Sequence, residues 1–498
     1  MAKNTLLFLF LFLSAALPLF LYPDFMGDDT FIHLCFAKGL VTNGTWSYNG
    51  NITNGSTSPL WTMLAALLWK IQLFSPETGI RALSIASGMW VTFLLWKIAN
   101  RSFSLLVSAV IVGAWLVNSY FLRWTATGME ASLAAGLLLY MYAHTSQWGK
   151  EKSSSFLGGL GGEKFLIFGL SPLIRPEFYL FLAITFAFGF FSMGKNKRNF
   201  LSLLIATLIV ASPAILWNVY AYFQFGTIVP NTFYHKAGNS LFAFEFSNVG
   251  KSLMTLISTQ GIELGLMLIC VVLLLIKKRF SSLFQFSILL PITWFLAFYG
   301  YYALKDVMIV SRYALIFVPV MLLVLFQLLQ ALETEMLNFK NDKSLQKYPL
   351  FLLALQVLFH GSLTLGFIQP EAKRFVAGFQ TKYKEIALLL QKEKAESIAV
   401  SDVGIIGFYS EAKVYDFVGL TDHKRFVFPN KKAYFQHFQP QYVLCREEFD
   451  LAEILAENPG YKMIYETEIA SMGLRNEGTR QVKLLKTENP LTNKIPSK

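Results

Sequence analysis

The stretch LLFLFLFLSAALPLFLY, residues 6–22, is seventeen residues long and carries no charge. As a helix rising about 1.5 Å per residue it reaches roughly 25 Å, most of the ~30 Å hydrocarbon core of a bilayer. Lys3 stands behind it and Pro23-Asp24 ahead of it. A cleaved signal peptide would end in a small-x-small site. This run lacks a clear one and reads as an uncleaved first span.

Outward from it, the same kind of run recurs. Residues 81–97, 103–120, 129–144, 157–172, 178–193, 199–218, 253–276, 282–300, 313–331 and 349–368 are each long and apolar enough to cross. The 157–172 run is interrupted by several glycines. Of the 498 residues 54% are hydrophobic, 47 are Phe and only 15% are charged. A soluble protein carries about 25% charge. The expectation is an α-helical polytopic membrane protein of eleven spans.

The net charge of +12 raises the question of nucleic acid, and the placement of the basic residues answers it. They gather in short loops: Lys97 with Arg101, Lys150 with Lys152, Lys195 with Lys197 and Arg198, Lys277-Lys278-Arg279, and Lys340 with Lys343 and Lys347. Membrane proteins keep such residues on the cytoplasmic face, so no nucleic-acid partner is expected. Five clusters on one face need two crossings between neighbours. The eleven runs supply them, with the amino terminus inside and the tail outside a plasma membrane. Residues 59–74 break that pattern as a further crossing and read as an interfacial helix, which Trp61, Trp69 and Lys70 suit. Cys35, Cys270 and Cys445 lie far apart and form neither a disulfide framework nor a metal motif.

The expected division is a membrane domain, 1–368, and an extracytoplasmic soluble α/β domain, 369–498. The tail opens with an amphipathic stretch, 371–396. Short apolar runs follow at 397–400, 414–418, 442–445, 463–465 and 482–485, spaced as strands. Asp402-Val-Gly404 and Gly419-Leu-Thr-Asp422 read as turns at strand ends.

With this topology the outer loops hold the unusual polar clusters, which suggests one site on that face. Asp28 and Asp29 precede an apolar helical stretch, and two adjacent acids exceed what a helix cap needs. Either could take a proton from an attacking hydroxyl. Trp46 and Tyr48 could stack on a sugar, or the loop 43–58 could be an ordinary turn region. Sequons at Asn43, Asn51 and Asn54 share that loop. Ser56, Thr57 and Ser58 follow, then Glu130, Arg175, Glu177, Asn231, Tyr234, His235 and Lys236. Arg175, Lys236, Lys305 and Arg312 could bind a phosphate, although Arg175 and Glu177 could equally form a structural bridge. His33 and His235 have no zinc-like spacing; an oxygen-bound divalent cation at the acids stays open.

In this order, Asp28-Asp29, Gly55-Ser-Thr-Ser-Pro-Leu-Trp61, Thr127-Gly-Met-Glu130, Arg175-Pro-Glu177 and Pro230-Asn-Thr-Phe-Tyr234 resemble the GT-C glycosyltransferases. The likeness is greatest to the cell-wall terminal arabinofuranosyltransferases and their bacterial relatives. Asp402-Val-Gly-Ile-Ile-Gly-Phe-Tyr409, Asp416 and Gly419–Asp422 are similar to theirs as well. The resemblance covers roughly residues 25–425 and rests on the motifs in order. It implies a catalytic acid in the first outer loop, Asp29 or Asp28, with interfacial helices beside it. It also implies a polyprenyl-phosphate-sugar donor, phosphate binders from the outer Arg and Lys set, and a glycan or glycolipid acceptor. Relatives use pentoses such as arabinofuranose, or hexoses. One acid pair without a separate nucleophile predicts inversion. The alternatives are a transporter or lipid flippase, whose polar groups would sit at midplane, and an O-antigen ligase or polymerase-like enzyme.

Overall fold

A computed structural model describes residues 2–146, 162–192, 197–237, 246–336, 347–446, 460–470 and 478–487. Lys150, Lys152, Lys195, Lys340, Lys343 and the start of the 157–172 run lie outside the described residues. The chain is a multi-pass, mostly helical membrane protein with a small C-terminal sheet.

The described part of every expected span is helical, but the lengths differ. Among the described residues, seven helices are long and apolar enough to cross: Ala2–Leu21, Pro76–Ser102, Leu203–Phe225, Val249–Ile276, Phe286–Leu304, Ser311–Glu333 and Tyr348–Lys392. The pair Leu105–Val117 and Ser119–Ala126, bent by 59°, passes the same test when taken together. The other three runs form the shorter helices Ala131–Thr145, Gly162–Leu170 (extended by a 3-10 turn, Ser171–Leu173) and Phe178–Ser192. Fifteen helical residues reach only about 22 Å. Among the described residues, seven of the expected spans, or eight with the bent pair, reach full length.

The chain forms two compact units. The first comprises residues 1–23, 81–218 and 240–368. Ser311–Glu333 is the most enclosed of its spans. Phe181 and Phe298 pack ring to ring with each other and with its Phe317, and the Trp294 indole donates to the Phe181 carbonyl. Asn118 stands at the bend. Its side-chain oxygen accepts from the amides of Tyr120 and Phe121, and its NH2 donates to the Thr259 carbonyl. Thr259 adjoins Gln260, a non-helical residue inside Val249–Ile276. A helix break inside a membrane must have its backbone groups satisfied by neighbours, and Asn118 serves two breaks at once. The bend directs Ser119–Ala126 off axis, and that helix carries Arg123 and Trp124.

The second unit gathers residues 24–80, 219–239 and 369–498. After a two-stranded hairpin, β1 (Ser47–Tyr48) and β2 (Asn51–Ile52), come β3 (Ser397–Val400), β4 (Lys413–Asp416), β5 (Tyr442–Arg446), β6 (Tyr461–Ala470) and β7 (Thr479–Thr487). The latter five form one sheet in the order β4-β3-β5-β7-β6. β3 is parallel to β4 and β5, whereas β7 is antiparallel to β5 and β6. Tyr415, Phe417, Tyr434, Phe435 and Val443 build its core. Helix Asp28–Asn43 packs against Pro59–Ile71 and against Val403–Ser410.

Candidate active site

In the second unit, Asp28 and Asp29 open helix Asp28–Asn43, whose N-cap, Gly27, has no side chain to offer. Asp28 caps a different helix. Its carboxylate accepts from the amides of Gly404 and Ile405, both at 2.9 Å, at the start of Val403–Ser410. That helix has Asp402 at its N-cap position without a side-chain cap bond, so Asp28 satisfies amides that would otherwise be orphaned. The backbones come so close that a Cβ on residue 404 would stand 2.0 Å from the Asp28 carbonyl oxygen. One helical turn on, a Cβ at 407 would meet the Tyr48 hydroxyl at 2.0 Å. Tyr48 donates that hydroxyl to the Val403 carbonyl at 2.6 Å, and Asn49 donates to the carbonyls of Gly407 and Ala412. Val403–Ser410 is therefore a helix laid against residues 28–49, where the sequence suggested a turn at 402–404. The glycines are dictated by approach rather than by φ.

The electrostatics separate the two acids. Burial, then the negative charge of Asp402, raise the Asp28 carboxyl to about 7, although the Ile405 and Gly404 amides pull the other way. Asp402 is itself held by the Tyr383 hydroxyl at 3.1 Å and by Arg446 at 3.5 Å. Asp29 lies one position, about 100°, round the helix from Asp28. Its face is shared with His33, four residues on. His33 Nδ1 lies 2.9 Å from the Thr62 hydroxyl, which lies 3.2 Å from that of Ser56. Ser56 also accepts the Ser58 amide, at the start of helix Pro59–Ile71. Thr57, between them, is half-buried.

Of the two readings of Trp46 and Tyr48, burial favours the structural one. They are 1% and 0% exposed and pack on Phe36 with ring centroids at 5.6 Å. Rings so enclosed hold the loop together and have no face left for a sugar. Asn231 is likewise buried. It donates to the Thr53 hydroxyl at 2.7 Å and the Leu420 carbonyl at 3.4 Å, and its oxygen lies 3.2 Å from His423 Nδ1. Tyr234 rests on His423 and Phe426. The Pro230–Tyr234 motif, residues 53–55 and the 419–423 turn thus meet. Gly419 has φ of +88°, and Asp416 accepts the amides of Val418, Gly419 and Thr421. The side chains of His235 and Lys236 lie outside what is described.

In the first unit, Arg175 is buried and spent. Its Nη1 donates to Glu130 at 2.9 Å, its Nη2 to Glu177 at 2.7 Å and its Nε to Glu177 at 3.2 Å, while its guanidinium lies 4.0 Å over the Tyr313 ring. Tyr302 donates to Glu177 at 2.7 Å. Burial would raise the Glu177 carboxyl, but the Arg175 charge and these bonds outweigh it and hold it below its usual value. Two carboxylates on one guanidinium leave no positive charge for a phosphate. Arg175 and Glu177 are a structural bridge that also takes in Glu130, the N-cap residue of Ala131–Thr145.

Three other cations, Arg312, Arg123 and Lys305, lie in the same unit. Arg312 lies 5.9 Å over the Trp124 ring and 5.4 Å over Tyr313, and Arg123 lies 5.2 Å over Trp124, whose indole donates to Ser311 at 2.9 Å. Lys305 caps the C-terminus of Phe286–Leu304 and is buried. Arg123 was missed from the sequence: it is a single cation at the end of an apolar run, which reads as a snorkelling anchor. The following Trp124 was the available signal. Among the described residues no three His, Cys, Asp or Glu side chains are grouped to hold a metal ion.

A sequence profile described as a domain of unknown function (DUF8728) matches residues 373–485. No curated protein matches the chain. Solved structures do. ArnT from Cupriavidus metallidurans in the apo state superposes with a TM-score of 0.62 at 13% identity, over 97% of this chain and 98% of that one. The same protein bound to undecaprenyl phosphate gives 0.58 at 14%, over 97% of each. The Archaeoglobus fulgidus oligosaccharyltransferase, tethered with an acceptor peptide containing the NVT sequon, gives 0.56 at 12%, over 96% of this chain and 74% of that one. These are GT-C family glycosyltransferases, and the chain shares their fold.

Proposed function

We propose that this chain is an inverting GT-C glycosyltransferase that moves one sugar from a polyprenyl-phosphate donor to a cell-envelope glycan or glycolipid. The reaction is placed at the outer face of the plasma membrane, with the amino terminus cytoplasmic and residues 369–498 extracytoplasmic. Two structural neighbours support the substrate classes: one is bound to undecaprenyl phosphate and the other is tethered to an acceptor peptide. The donor sugar is a pentose such as arabinofuranose, as in the arabinofuranosyltransferase-like relatives, or a hexose.

The observation that carries the residue assignment is the double amide contact of Asp28. A carboxylate tied to a helix start is a positioning group, and the base role falls to Asp29. As the acceptor oxygen bonds to the anomeric carbon, Asp29 takes its proton, and the carbon–oxygen bond to phosphate breaks with its electrons on the phosphate. The departing polyprenyl phosphate needs no general acid, only positive charge. That role falls to Arg312, Arg123 and Lys305. Attack from the face opposite the leaving group inverts the anomeric centre.

The test is mass spectrometry of surface glycans from cells lacking the protein, complemented with wild type, Asp29→Asn or Asp28→Asn. Wild type and Asp28→Asn are expected to restore one missing sugar residue, and Asp29→Asn to lose on the order of 10²-fold or more in transfer. Full restoration by Asp29→Asn would remove it as base. A glycan profile unaffected by deletion, or a product retaining the donor's anomeric configuration, would count against the transferase reading and the inverting step respectively.

A further inference from the structure

Residues 423–446 hold Lys424, Arg425, Lys431, Lys432 and Arg446, and no Asp or Glu. Four of these cations fall within nine residues, which also contain Phe426, Val427 and Phe428. Positive-inside placement does not explain them, because they lie in the sheet-bearing unit and not between spans. The segment is built. His423–Phe426 is a 3-10 turn whose N-cap, Asp422, accepts the Lys424 amide at 3.0 Å and the Tyr434 hydroxyl at 2.7 Å. Phe428 packs on Tyr434 and Phe438, and helix Lys431–Phe438 starts at an Asn430 cap.

That scaffold leaves a defined tip outside. Val427 is 74% exposed and Phe426 36%, with Lys424 and Lys432 also exposed. The tip does not stand alone. Through Tyr234 and Asn231, the turn is fixed to residues 219–233 of the same unit, which expose Val219, Tyr222, Phe223, Ile228 and Phe233, with Phe223 at 82%. Those residues begin with the end of the span Leu203–Phe225. An apolar tip ringed by cations, attached where a span ends, matches headgroups above and acyl chains below.

We infer that the 423–432 turn docks on the surface of an anionic bilayer, Phe426 and Val427 entering the interface and Lys424, Arg425, Lys431 and Lys432 meeting lipid phosphates. A soluble polyanion such as RNA would use the cations but would leave the apolar tip and its apolar neighbours unaccounted for. The inference does not rest on the transferase reading.

The test uses the full chain in proteoliposomes, with Val427→Cys carrying an environment-sensitive fluorophore. The native cysteines are buried, which directs the label. Spin-labelled lipids with the nitroxide near the headgroup should quench this probe more in phosphatidylcholine bilayers containing phosphatidylglycerol than in phosphatidylcholine alone. Lys424→Glu, Arg425→Glu, Lys431→Glu and Lys432→Glu combined should abolish the difference. If that variant does not fold, Lys424→Gln with Lys432→Gln should weaken it, roughly fivefold per charge. Equal quenching in both bilayers would overturn the inference. So would protection of the probe by added RNA in the neutral bilayer.

Discussion

The Asp28 junction and the Arg175 cluster look alike in sequence, each a short run of charged residues beside an apolar run, yet they are solved by opposite means. Arg175 sits between two carboxylates and neutralises them. Asp28 rests on two backbone amides and feels the negative charge of Asp402. Buried ion pairs depend on both partners being present, whereas a carboxylate on a helix start depends on backbone position. The first arrangement should therefore be sensitive to chemistry and the second to shape.

The sharpest way to break this contrast is Arg175→Met. It strands Glu130 and Glu177 in a buried site, and a loss of about 3–5 kcal/mol is expected, read as a collapse in thermal stability of the detergent-solubilised protein. Arg175→Met together with Glu130→Gln and Glu177→Gln should recover part of it. If the single variant melts like wild type, the cluster is not a structural bridge.

Gly404→Ala comes next. No charge changes, but the added methyl meets the Asp28 backbone, and about 1–3 kcal/mol is expected from overpacking. The same measurement checks it, with Gly250→Ala, where no atom lies within 4 Å of the added methyl, as control. Equal effects would mean that the helices do not need their close approach.

The smallest effect is in pH. The folded carboxyl of Asp28 is raised to about 7 from 3.8, so the folded state holds a proton that the unfolded state releases. This contribution is complete below about pH 4 and is lost as pH rises through 7. Glu177, held low, behaves inversely: its contribution is present above the usual carboxylate pKa and is lost as pH falls through its folded value. Asp28→Asn should therefore flatten the stability profile between pH 5 and 7 and leave the acid limb alone. An effect on the order of 1 kcal/mol is expected, reduced by the partial exposure of the carboxylate. Melting curves across pH would show it, and an unchanged slope would mean that Asp28 is ionised throughout.

Much of this architecture was legible beforehand. The apolar runs located the helices, the alternation in the tail located five strands, and the motif order pointed to the fold. What was not legible has physical causes. Asp28 and Gly404 are 376 residues apart, and no local pattern says that one caps the other. Trp46 and Tyr48 admit both a sugar-stacking and a structural reading because aromatic residues in a polar loop are ambiguous until burial is known. Arg175 stays open in sequence between a phosphate ligand and a bridge to Glu177 because its second carboxylate, Glu130, lies 45 residues away. Arg123 by itself carries no local signal, because a lone cation near a span end has a simpler explanation.

The close approach at Gly404 and Gly407 has a further consequence, for dissection of the protein. The profile match begins at residue 373, which suggests a detachable module. Expressed alone from there, the sheet would lose the carboxylate that caps its helix Val403–Ser410 and the tyrosine that seats against Gly407. Two glycines shaped to another segment would face water, and two amides would need new partners. Residues 24–80 and the tail are better handled as one folding partner pair, and any cut that separates them divides a single interior.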